Sequence, residues 1–146
     1  MRAGSVVMDS SAWEKSMDLK LADLNREMPR AMARIGLTMQ DLAQDMVPKV
    51  TGHLARSITH EEGTDGAGTY WTDVGTNMHY APYVEFGTGD AGSMSRGEIH
   101  RGIVTPVTYT AGWPGVRARP YLRPALYDYA DTYKRMVREA VQRAIR

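Results

Sequence analysis

Apolar residues recur at helical spacing from Trp13 to Met46: Trp13, Met17, Leu21, Leu24, Met28, Met32, Ile35, Met39, Leu42 and Met46. Nine steps cover 33 residues, about 3.7 per step, the period of an α-helix and not of a strand. A stripe of that length commits this part of the chain to one amphipathic rod, against which the remainder must pack. Pro29 falls inside the run, so the sequence predicts a kink or a break near Met28. Ser11 with Glu14 three residues on has the form of a capping box. Val47-Pro48 ends the pattern, because a residue before proline is biased away from helical backbone. The stripe carries Met17, Met28, Met32, Met39 and Met46, side chains that fill irregular gaps and suit surfaces that repack. Its plain reading is a core face, with an interface role for part of it left open.

Composition narrows what the rest can be. The 146 residues fit one domain, read as 1–146 with a flexible start at 1–12. The absence of cysteine excludes a disulfide scaffold and thiolate metal sites. No apolar run approaches the ~20 residues that span a bilayer, and the opening MRAGSVVMDSS is too short in apolar core for a secretory signal. The expectation is a soluble, cytoplasmically made protein. Net charge is +1 but uneven: residues 60–112 sum to −5, and residues 113–146 to +5. Such a chain can be electrostatically complementary to a second copy of itself, unless both parts are merely solvated faces.

After the rod, VPKVTGHLARSI fits either a short helical turn or a strand start around Leu54 and Ile58. ITHEE and TYWTDVGT flank the glycine-containing EGTDGAG and read as two strands of a hairpin. On the second strand Tyr70, Thr72 and Val74 share one face, and Trp71 and Asp73 the other. Residues 87–102 hold five glycines and no apolar period, which predicts a mobile loop. IVTPVTYTAGW reads as a further strand, placed at an edge or bulge by Pro106. A helix from Tyr121 to Ile145 closes the chain, with Leu122, Leu126, Tyr129, Tyr133, Met136 or Val137, Ala140 or Val141, and Ile145 on its apolar side. The fold class is α+β: a long N-terminal helix and a C-terminal helix on a small, mainly antiparallel sheet spanning 55–112.

The candidate site joins two segments. HYAPYVEFGTGD sets Glu85 among Tyr80, Tyr83, Val84 and Phe86, just before Gly87. A carboxylate in such company either faces water or needs a cationic partner. GVRARPYLRPAL supplies Arg117, Arg119 and Arg123 around two prolines, and the expectation is that Glu85 pairs with Arg119 or Arg123.

Catalytic and cofactor chemistry is not suggested. No serine lies in a GxSxG elbow. His53 and His60 are seven apart, and His79 and Glu85 six apart, neither a helical ligand spacing. Gly87-Thr88-Gly89 lacks the lysine ending of a phosphate loop, and Asp65, Asp73 and Asp90 lack the alternation of a calcium loop. The reading is no enzyme, no cofactor and no metal. A basic C-terminal helix leaves one alternative, a nucleic-acid-binding accessory protein, although the pI of about 8.0 is below the usual range for such domains.

Three motifs in order, VPKVTGHLARSI, HYAPYVEFGTG and RARPYLRPAL, resemble a family of small neck or tail-completion proteins of long-tailed bacteriophages and prophages. The matching positions include Val47, Pro48, Thr51, Gly52, Leu54, Ser57 and Ile58, then Tyr80 to Thr88 except Pro82, then Ala118 to Leu126 except Tyr121. Val50 stands where the family commonly has Asp, and Tyr121 where it usually has Phe. The resemblance implies a structural virion protein at the head-tail junction or upper tail end, made in the host bacterial cytoplasm. It implies a homo-oligomeric ring, six- or twelve-fold, which docks on other neck and tail proteins, lies near channel DNA and has no membrane partner. In that picture Tyr80, Tyr83, Glu85, Phe86, Gly87, Arg117, Arg119 and Arg123 are interface or structural residues.

Overall fold

The apolar stripe folds as one helix, α1 (Ser11–Met46), in a computed structural model that describes residues 10–49, 52–91 and 112–146. Pro29 does not break it. The residue is exposed, so water can satisfy the carbonyl that its missing N–H releases. The capping box expected on Ser11 is not formed. Ser10 is the N-cap, and its φ −84° and ψ −9° are helical rather than the extended backbone a cap requires. Its hydroxyl instead donates to Glu14 Oε1 at 2.7 Å.

Past α1 the chain makes a one-turn helix, α2 (His53–Ser57), then β1 (Ile58–Thr64) and β2 (Tyr70–Thr76). The strands pair antiparallel, Ile58 opposite Thr76 and Thr64 opposite Tyr70. Asp65 shapes the turn between them by accepting the Ala67 and Thr69 N–H groups at 2.8 and 3.0 Å; the Thr69 side chain first, and then these amides, hold its carboxyl below the usual range. The hairpin lies on α1. At the crossing Gly36 is buried, and a Cβ there would run into Thr72 Oγ1 and the His60 ring. His60 in turn shares a 2.6 Å hydrogen bond with Gln40 on the same helix. Trp71 and Asp73 face outward, opposite Thr72 and Val74, as the alternation requires.

Two helices, not one, follow Pro120: α4 (Leu122–Tyr127) and α5 (Ala130–Ile145). The break at Asp128 and Tyr129 deprives the Ala125 carbonyl of its helical donor. The Tyr133 hydroxyl replaces that donor at 2.6 Å. The break also shifts the helical phase, so Leu126 and Ile145, expected inside, are exposed, and Ala125 and Ala144 are buried. α5 runs antiparallel along α1: Arg143 bonds Glu27 at 2.9 Å, and Lys20 reaches the Ile145 carbonyl at 3.2 Å. Met32, Ile35, Met39 and Ala43 of α1 meet Leu54, Ile58, Tyr121, Ala125 and Tyr133 in the core.

The core face of α1 stops short of its N-terminus. Trp13 is 66% exposed, Met17 41% and Leu21 52%, although they continue the Met28–Met46 stripe without a change of phase. No described helix is long and apolar enough to cross a membrane. Most of the expected strand through 103–113, most of the glycine loop and the first nine residues lie outside the described residues, as do Val50 and Thr51; the end of that strand, Gly112 and Trp113, is turn and irregular backbone.

Candidate functional site

A six-residue helix that periodicity cannot detect, α3 (Ala81–Phe86), carries the site. Tyr80 is its N-cap and Pro82 lies in its first turn, where a missing N–H costs little. Gly87 ends it with φ 74°, a backbone that favours glycine. Segment 116–123 runs back beside it. Thr88 and Val116 exchange backbone bonds of 2.8 and 3.0 Å, and Arg119 N–H donates to the Val84 carbonyl at 2.8 Å. The approach is close enough that Gly115, at φ 66°, has no room for a Cβ against the Thr88 carbonyl.

This arrangement points Glu85 at the start of α4. The carboxylate is buried, 3% exposed. Oε2 accepts the Tyr121 and Leu122 N–H groups at 2.7 and 2.9 Å, and Oε1 accepts that of Arg123 at 3.1 Å. Pro124 has no N–H to offer, and Ala125 N–H turns to the Tyr121 carbonyl. One side chain therefore satisfies every free amide in the first turn of α4, at the helix end where negative charge is favoured. The Arg123 guanidinium completes the arrangement. Its Nε donates to Glu85 Oε1 at 2.9 Å, a second nitrogen donates to the Glu85 carbonyl at 3.0 Å, and its plane lies 4.7 Å from the Phe86 ring centre. Charge-assisted bonds and a stacked cation are what a buried carboxylate needs to offset its desolvation.

Of the residues singled out by sequence, the structure brings together Glu85, Phe86 and Arg123. It does not bring Arg117 or Arg119 to the carboxylate. Both are exposed on a groove of about 390 Å³, whose apolar lining includes Leu54, Tyr80, Tyr83, Val84 and Val116. Tyr83, 38% exposed, belongs to that groove rather than to the core.

Tyr121 is not among the interface or structural residues expected from sequence, where it stands only as a departure from the family pattern. It is fully buried, and its hydroxyl has no hydrogen-bond partner among the described residues. Burial, with the Glu85 carboxylate nearby, pushes that phenol up to about 12. The signal was the departure from the family pattern: the usual Phe would leave no polar atom there to satisfy. The exposed first turns of α1 are likewise invisible to periodicity, which reports the phase of a face and not what covers it.

With both oxygens of Glu85 engaged, the carboxylate is a structural anion rather than an available base. Among the described residues no group of three His, Asp or Glu side chains could hold a metal ion. The site is a junction between helices, its polar atoms turned inward and an apolar groove left beside it. Residues 15–87, half of the chain, match the model of the family described as "Bacteriophage HK97-gp10, putative tail-component". The chain belongs to this family, an HK97-gp10-like group of phage tail components. No curated protein and no solved structure matches it.

Proposed function

We propose that the protein is a structural subunit of a tailed-phage virion, acting at the head-tail junction or upper tail end. It works by assembly: copies associate into a ring, and the ring docks on neighbouring neck and tail proteins. The observation that carries this reading is the family match over residues 15–87, which takes in the long helix from its fifth residue on and ends within the Glu85 motif. The geometry supports it physically. The Glu85–Arg123 junction fixes α3 against α4, so that the groove holding Tyr83, Arg117 and Arg119 is a formed surface rather than a loop that must order on contact. Opposite charge on separate parts of one chain favours head-to-tail contacts between copies, which close into rings.

The native mass of the purified protein and immunogold labelling of purified particles test this together. A closed homo-oligomer in solution, with label confined to the neck or upper tail, is the expected result. A monomer at every concentration, with no label on particles, overturns it.

A further inference from the structure

Two surfaces of this chain are apolar, exposed and matched in charge, and one copy cannot join them. The first is the N-terminal arm of α1. Trp13, Met17 and Leu21 lie at i, i+4 and i+8 on one stripe, all exposed, and Lys20 already reaches the last turn of α5, so the turns before it project past that helix. Glu14 and Asp18 run along one flank, and neither makes an ion pair among the described residues. The second surface is the groove beside Glu85, lined by Leu54, Tyr83, Val84 and Val116. Arg117 and Arg119 at its side are exposed and make no ion pair among the described residues.

Pro48, two residues past the end of α1, also lines the groove, so the groove sits at the C-terminal end of the helix whose N-terminal end is the arm. At 1.5 Å per residue, the 33 residues from Trp13 to Met46 hold the two about 50 Å apart on one rod. They can meet only between molecules.

We propose that the α1 arm of one copy docks in the Tyr83–Val116 groove of the next, Trp13 and Met17 entering the apolar floor and Glu14 and Asp18 facing Arg117 and Arg119. This deepens the ring assembly proposed above and rests on it. An amphipathic helix in an apolar groove is a common recognition mode, and tryptophan and arginine are the residues most often decisive in one. Because donor and acceptor surfaces differ, the contact is heterologous and propagates around a ring.

The chain has no cysteine, so introduced ones report contacts without background. Glu14→Cys and Arg117→Cys, at the rim of the proposed contact so that Trp13 is kept, are made as separate full-length proteins, mixed under mild oxidation, and read by non-reducing gel electrophoresis. The expected product is the mixed disulfide dimer, formed in preference to either homodimer. In parallel, Trp13→Ala weakens self-association about 30-fold in sedimentation analysis. Arg117→Glu with Arg119→Glu also weakens it, and Glu14→Arg with Asp18→Arg in the same chain restores it. Glu14→Cys homodimers as the main product mean that two arms pack on each other, which overturns the groove as their site. An oligomer with no mixed disulfide overturns this inference and leaves ring assembly standing. A wild-type protein monomeric at all concentrations overturns both.

Discussion

The Glu85 junction and the first turns of α1 treat their exposed and buried groups in opposite ways. At the junction, three backbone amides, a carboxylate and a guanidinium all find partners within one chain, and an aromatic ring covers them. On the arm, a tryptophan, a methionine and two acids lie exposed. Burying the former costs desolvation that only complete pairing offsets. Leaving the latter open forgoes hydrophobic stabilisation that a fold under no other demand would take. The contrast separates residues that hold the subunit together from residues free to serve something outside it.

The sharpest way to break that division is Glu85→Ala. It leaves three amides without an acceptor and takes the carboxylate away from the Arg123 Nε, and should cost about 3–5 kcal/mol in chemical denaturation. A loss under about 0.5 kcal/mol would show that water replaces the carboxylate freely and that the junction is not structural. Gly115→Ala comes next, since it forces a side chain at φ 66° against the Thr88 carbonyl. About 1–3 kcal/mol should be lost, read by thermal unfolding.

Tyr121→Phe has the opposite sign. Removing a buried hydroxyl without a partner should raise stability by about 1 kcal/mol. The same variant tests the ionisation. A phenol whose folded value lies near 12 rather than 10 is kept neutral by the fold, so its contribution is full below pH 10 and fades as pH rises through 12. Denaturation midpoints between pH 9 and 12, run on both proteins, should show that part of the alkaline loss only in the tyrosine form. The smallest effect on folding is expected from Trp13→Ser, within about 0.5 kcal/mol of wild type by denaturation. A large loss there would erase the distinction between the regions by making the arm part of the core.

How much of this the sequence discloses follows from what periodicity measures. A 36-residue helix and a hairpin broken by Gly66 and Gly68 are long enough, or punctuated enough, to be read directly. α3 has six residues, with a proline at its second position and a glycine after its last, too few for a period to register. The split between α4 and α5 is hidden because apolar residues continue across it at Leu126, Tyr129 and Tyr133, so the pattern looks unbroken. An acid alone among aromatics, followed by a cluster of arginines, is enough to expect an ion pair. Choosing Arg123 over Arg119 needs the register of segment 116–123 against α3, which a backbone bond from Arg119 to Val84 sets. The three amides on Glu85 had one trace in the sequence: Pro124, a residue without an N–H, at the third position of a helix.

The interruption at Asp128 and Tyr129 has a mechanical meaning. Had α4 and α5 been one cylinder, the direction of the short helix would be inherited from the long one lying along α1. As it is, α4 takes its aim from a carboxylate on α3, and a two-residue joint bridged by the Tyr133 hydroxyl stands between them. A pull on α5 can therefore be absorbed at that joint before it tilts the face presented by Tyr83 and Val116.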